Sequence, residues 1–210
     1  VTCLGFQILA PDRAVAWADS EVFVDDEPDG DRCKLFVNPL ARFVVVGSGR
    51  MAIFTDAVEA MTRYLTFDEA VSELPGALRR SARHYSDTEI AARAPLDSAT
   101  VAVVGSSQQY GRIVGAVLHL HRDFEPLTPQ PSYLSPYVAG AGRLTTDRHG
   151  IISIASEQLV ELRRFLPLAS GGALVTAEVT REGVRCGPTF DLRQGREVTA
   201  GWWPQPVEGE

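Results

Sequence analysis

The sequence begins VTCLGFQI, and Thr2 carries the first functional group of chemical interest. A threonine at an exposed N-terminus is a self-sufficient nucleophile, because its hydroxyl attacks a carbonyl while its own α-amine accepts the proton. Val1 fills much the same volume and has no group that can attack. Three further features are chemically capable. Cys3 is a thiol one residue on, but it is not terminal and no histidine stands in a pattern that would activate it, so a small core residue is expected. His119 and His121 in LHLHRD alternate on one face of an expected strand, a spacing that suits a metal, yet no third ligand accompanies them; no metal and no cofactor are expected. Trp202 and Trp203 are placed to clasp the fold, stack on a ligand or dock a neighbouring subunit.

These residues need elements to position them. Leu4, Phe6 and Ile8 alternate with Cys3, Gly5 and Gln7, the period of a strand with one face toward a core. APDR supplies a turn and RAVAWADS returns, so residues 2–19 read as a hairpin ending on Asp19. CKLFV and ARFVVVGSG read as two more strands joined at Asn38-Pro39. After Gly49 the period becomes helical: Ile53, Ala57, Met61 and Leu65 over residues 50–65, then a second helix announced by Thr66 and Glu69 at capping-box spacing. Its apolar positions are Val71, Leu74, Leu78, Ala82 and Tyr85, and Pro75 is expected to kink or split it. Strands are expected at 99–106, 112–121 and 137–142, a helix at 153–166 with Leu159, Leu162 and Phe165 on one face, and closing strands in GALVTAEVT and GVRCGP. The acidic stretch 25–32, the proline-rich stretch 126–136 and the end of the chain read as loops and a tail.

This order predicts an α+β structure of antiparallel sheets covered by helices, in a single domain over 1–200 followed by a flexible tail at 201–210. The net charge of −7 argues against nucleic acid and anionic membranes as partners. No apolar run approaches the length that spans a bilayer, and three cysteines without paired spacing argue against a disulfide framework or zinc site. A cytoplasmic protein is expected.

Six stretches, in order, carry a resemblance: VTCLGF, AWADS, CKLFVNP, VVVGSG, YVAGAG and ASGGALV. Together they resemble the proteasome β-subunit and HslV-type (Anbu-like) branch of the N-terminal nucleophile (Ntn) hydrolases. The resemblance implies a four-layer αββα sandwich of two antiparallel sheets flanked by helices, a homo-oligomeric ring and peptide or unfolded-protein substrates. It assigns Lys34 as the lysine that lowers the local pKa values, Asp19 as the aspartate that holds it, Gly47 as an oxyanion-hole N–H donor, and Ser170 as a contact of the terminal amine. A nearby ammonium favours a neutral amine and stabilises a developing alkoxide.

The chain departs from the pattern at two positions. Ala141 stands between Gly140 and Gly142 where the family has a serine, and Pro167 stands where it has an aspartate. The segment around LTTDRHG is short, so the first of two usual helices is expected to be a loop. The strand's parity, anchored on Leu4 and Phe6, aligns Val1 with the catalytic threonine and implies a degenerate, catalytically silent subunit. The alternative is an active threonine peptidase in which residue 1 is an initiator removed to expose Thr2. Retention of Asp19 and Lys34 favours that alternative, and a bulge in the first strand would restore register. An amidase acting on a small molecule is a third, weaker reading.

Overall fold

The computed structural model describes residues 2–24, 27–88, 98–138 and 148–198. It is a mixed α+β structure with three α-helices and three antiparallel sheets among the described residues. The first hairpin forms as its alternation predicts, β1 at Leu4–Ala10 and β2 at Arg13–Asp19, with a register irregularity between Ile8 and Ala10. β3 (Glu21–Val24) and β4 (Glu27–Asp31) follow, so the acidic stretch expected as a loop is largely the second arm of a two-stranded sheet. β5 (Leu35–Asn38) and β6 (Phe43–Gly49) lead into helices α1 (Met51–Met61) and α2 (Phe67–Ser86). The Thr66 hydroxyl accepts the Glu69 N–H at 3.1 Å, capping α2 as its sequence requires. Pro75 does not split α2, and Leu65 lies exposed beyond the end of α1 rather than on its buried face.

β7 (Ala99–Ser107) and β8 (Arg112–His119) pair tightly, and a single 3-10 turn at Leu120–Arg122 takes over two residues before the expected strand end. The proline-rich stretch is not one loop. It contributes β9 (Leu127–Gln130) to the edge of one sheet and β10 (Ser132–Ser135) to the edge of the other, with Pro131 between them. Edge strands are where proline is tolerated, because one row of N–H groups has no ladder partner to lose. Tyr137 and Val138 are not in a strand, and the rest of the expected strand at 137–142, with Ala141, lies outside the described residues.

Helix α3 spans Arg148–Leu162, starting five residues earlier than the periodicity indicates and taking in part of the stretch expected as a loop. Leu159 and Leu162 are buried, whereas Phe165 lies past the helix end and is exposed. β11 (Ala173–Thr180), β12 (Val184–Cys186), β13 (Thr189–Asp191) and β14 (Arg196–Val198) complete the chain, the last two unforeseen because three-residue strands carry too few alternations to register. The expected tail at 201–210, with Trp202 and Trp203, lies outside the described residues.

The larger sheet runs β10-β1-β2-β11-β13-β14 with β12 also on β11, and a five-stranded sheet runs β5-β6-β7-β8-β9. Leu4, Phe6, Ala16 and Val175 from the first share one buried cluster with Leu35, Val44, Val46, Ala102 and Val104 from the second. Phe43, Val45, Val101 and Val103 of the five-stranded sheet pack with Ile53, Phe54, Leu74 and Leu78 of α1 and α2. Trp17 and Leu174 of the larger sheet pack with Ile151, Ile154 and Ala155 of α3.

Both faces of β1 are therefore buried. Gly5 is where this is tightest: a Cβ there would stand 2.5 Å from the Trp17 ring and 2.8 Å from the Tyr133 carbonyl oxygen. Because one of those atoms is backbone, Gly5→Ala is expected to destabilise by about 1–3 kcal/mol, as overpacking typically does. Urea unfolding of the purified variant checks this.

Candidate active site

β1 and β2 meet at an end where Cys3 and Asp19 pair through backbone: the Asp19 N–H donates to the Cys3 carbonyl at 2.8 Å. The Asp19 side chain folds back, and its Oδ2 accepts the Cys3 N–H at 3.0 Å. Its Oδ1 is 2.8 Å from Lys34 Nζ. Lys34 enters from the residue before β5, and its ammonium also donates to Thr2 Oγ1 at 3.0 Å and to the Glu21 carbonyl oxygen. Three N–H donors thus meet three acceptors, the full capacity of an ammonium. All of this is buried: Thr2 is 3%, Asp19 1% and Lys34 4% exposed.

Burial pushes the Asp19 carboxyl above the usual carboxylate range, while the Lys34 ammonium pulls it back. A carboxyl whose pKa is raised by folding contributes stability that is complete below its unfolded pKa, about 3.9, and is lost as pH rises through the folded value. Holding Asp19 ionised at neutral pH therefore draws on the rest of the fold. Asp19→Asn is expected to flatten this part of the stability profile, read by denaturant titrations between about pH 4 and pH 7. Burial, together with Asp19, also drives the Cys3 thiol upward, so it is held neutral and is no thiolate nucleophile.

The site brings together Thr2, Asp19 and Lys34, three of the residues expected from the sequence. Val1 lies outside the described residues. Of the two positions weighed from the sequence, the described one is Thr2, whose Oγ1 meets Lys34, while Leu4 and Phe6 sit in the core between the sheets. The opposite face of β1, with Cys3 and Gly5, packs toward α3 and Trp17.

Gly47 is placed differently from its expected role. Its N–H donates to the Lys34 carbonyl at 3.2 Å, so that donor belongs to the sheet rather than to an oxyanion. The glycine is required because a Cβ would stand 2.3 Å from the Phe54 ring. Strand alternation directs the N–H of Gly49 to the same edge as that of Gly47, two residues further along, and Gly49 has a φ of +105°. Ser170 is also engaged elsewhere: its hydroxyl donates to a Glu21 carboxylate oxygen and accepts from Arg193 Nε at 2.8 Å.

One further signal in the sequence points to this site. Lys34 is the only lysine in the chain, every other member of its 20 lysines and arginines being arginine. A compact ammonium with three tetrahedral donors fits three converging acceptors, which a planar guanidinium does not. Glu21, two residues past Asp19, carries no such signal; that it is 1% exposed, and so needs partners, appears only in the fold.

The two histidines sit where β8 ends. His119 ends β8 and its Nδ1 lies 3.0 Å from Thr100 Oγ1, while His121 sits in the 3-10 turn with its ring centroid 4.9 Å away. Among the described residues no group of three or more His, Cys, Asp or Glu side chains is placed to hold a metal ion. Cys3, Cys33 and Cys186 are all free. No helix among the described residues is long and apolar enough to cross a membrane. Comparison with protein-family models and with curated proteins found no match for this chain.

Proposed function

We propose that the chain is a four-layer αββα Ntn hydrolase in which Thr2 is the nucleophile of a threonine-type peptidase. The observation that carries this reading is the Thr2 hydroxyl 3.0 Å from a buried ammonium that is itself fixed 2.8 Å from a buried carboxylate. The layer arrangement is supported by the core shared between the two large sheets, with α1 and α2 on the outer face of one and α3 on the outer face of the other.

In this mechanism the Thr2 hydroxyl attacks the substrate carbonyl, and its proton passes to the Thr2 α-amine once that amine is free. The Lys34 ammonium, bonded to Oγ1, stabilises the oxygen as it gains negative charge. Asp19 fixes the ammonium, and its Oδ2 bond to the Cys3 N–H fixes Asp19. Gly49 offers the N–H for the tetrahedral oxyanion, since that of Gly47 is bonded to Lys34. The tetrahedral intermediate then collapses with cleavage of the amide C–N bond, the departing amine taking the proton back from the α-ammonium, and water cleaves the resulting ester, releasing the second product and restoring the Thr2 hydroxyl. A ring of copies and a peptide or unfolded-protein substrate belong to the same reading, and native mass spectrometry measures the first.

The reading requires a threonine α-amine, so residue 1 must be removed. The competing reading is a silent subunit with residue 1 retained, and the observation in its favour is that Thr2 is 3% exposed. Intact mass separates the two. The natively expressed protein is expected to begin at Thr2 and, after incubation with a peptide epoxyketone, to gain one adduct mapping to Thr2. Residue 1 retained on every molecule, with no adduct, overturns the peptidase reading.

A further inference from the structure

The carboxylate expected at position 167 is a proline, yet the loop that follows is held by a carboxylate from another part of the chain. Glu21, the first residue of β3, points its side chain at the segment between α3 and β11. Its Oε2 accepts the Ser170 N–H at 2.7 Å and the Gly171 N–H at 2.8 Å, and its Oε1 accepts the Ser170 hydroxyl proton. Gly171 has a φ of +80° and Gly172 a φ of +57°, the left-handed conformation that turns successive N–H groups toward one anion. From the solvent side, Arg193 covers the arrangement: its Nε donates to Ser170 Oγ at 2.8 Å, and its two terminal nitrogens reach Asp31 at 3.1 and 3.0 Å. Asp31 Oδ1 in turn accepts the Ser20 hydroxyl at 2.7 Å, and Ser20 Oγ accepts the Ala173 N–H at 2.8 Å.

The same residue faces the active site with its backbone. The Glu21 carbonyl oxygen takes the third hydrogen of the Lys34 ammonium, beside Thr2 Oγ1 and Asp19 Oδ1. A displacement of Glu21 therefore moves one of the three acceptors that aim Lys34 at Thr2. Glu21 lies two residues beyond the end of β2, where its backbone is paired with Asp31 of β4.

We propose that Glu21 is a positioning residue of the Thr2–Lys34 site, its side chain clamped by the Ser170–Gly171 turn and Arg193 so that its carbonyl fixes the Lys34 ammonium. This rests on the threonine-nucleophile reading for its catalytic consequence, though not for its geometry. The clamp is built from charge-assisted hydrogen bonds in a buried setting, where each bond is strong and the loss of one leaves its partner unpaired.

Because Lys34 is the only lysine, protein grown with [15N]lysine gives a single side-chain nitrogen signal reporting on the site. Glu21→Ala is expected to raise hydrogen exchange at that nitrogen by about tenfold or more, as local opening of a buried group does. Epoxyketone labelling of Thr2 should fall by about 10- to 100-fold, the effect of misplacing a reacting group by about 1 Å. Glu21→Gln keeps an oxygen for the two N–H groups and turns its amide NH2 toward the Ser170 hydroxyl, so both readouts should return to within about threefold of wild type. Asn38→Ala, which removes a buried amide bonded to the Met61 carbonyl at 3.2 Å, controls for general loss of stability and should leave the exchange unchanged.

Exchange in a folded Glu21→Ala protein within about twofold of wild type overturns the proposal, as does a Glu21→Gln protein no better than Glu21→Ala. If Glu21→Ala does not fold, Ser170→Ala removes one bond of the clamp and must still raise exchange. If wild type itself takes no label, the peptidase reading fails and the exchange measurements alone decide the clamp.

Discussion

Lys34→Ala is expected to destabilise the protein by about 3–5 kcal/mol, the cost of stranding one member of a buried ion pair. Three acceptors lose their donor at once: Thr2 Oγ1, Asp19 Oδ1 and the Glu21 carbonyl. Asp19 responds by holding a proton more tightly, since Lys34 is what pulls its pKa down. That response makes the effect smaller at acid pH, where Asp19 is neutral in any case. The double variant Lys34→Ala/Asp19→Ala should cost less than the sum of its parts, because no isolated buried charge remains. Denaturant unfolding of the four proteins closes the cycle, and additivity would show that the pair does not interact. Lys34→Arg should not restore Thr2 labelling, even though the chain uses arginine at every other basic position.

Thr2→Ala is expected to abolish labelling by the epoxyketone and any peptide turnover, a loss of at least about a thousandfold if Thr2 is the nucleophile. Its effect on stability should be modest, about 1 kcal/mol, because only one hydrogen bond to a charged donor is removed. Thr2→Ser keeps the hydroxyl and should keep measurable labelling. Cys3→Ala serves as the neighbouring control: the thiol is buried and held neutral, so its removal should leave labelling within about threefold. Labelling that survives in Thr2→Ala and disappears in Cys3→Ala would reverse the assignment of the nucleophile. The comparison matters because the two side chains are adjacent in sequence and lie on opposite faces of the strand.

The ordering of these effects follows from where the charges lie. Lys34 and Asp19 form a buried ion pair and, on the proposed reading, also serve the chemistry, so their loss is expected in both measurements. Thr2 contributes an oxygen that the fold can do without. On the threonine-nucleophile proposal such a division is expected, since the charged groups must be in place before substrate arrives.

Much of the molecule was legible in the sequence because its signals are local. The alternation of Leu4, Phe6 and Ile8 gave β1, the helical spacing of Val71, Leu74 and Leu78 gave α2, and Thr66 with Glu69 marked where that helix starts. The family resemblance carried by short stretches singled out Asp19 and Lys34, which the structure brings within 2.8 Å. The failures were equally local in origin. Prolines at 129, 131 and 136 disguised β9 and β10, and the short strands β13 and β14 offered no period to detect.

Only the tertiary structure decided which side chain near the start of β1 meets Lys34. A period of two tells which residues share a face, but when α3 and Trp17 cover one face and the second sheet covers the other, both faces are apolar and parity alone selects neither. The position of Lys34, 32 residues along the chain from Thr2, breaks that tie. Glu21 and Ser170, 149 residues apart, illustrate the same limit. The Ser170–Gly171 turn is held by a carboxylate that the fold carries to it from β3, and sequence order holds no record of that distance.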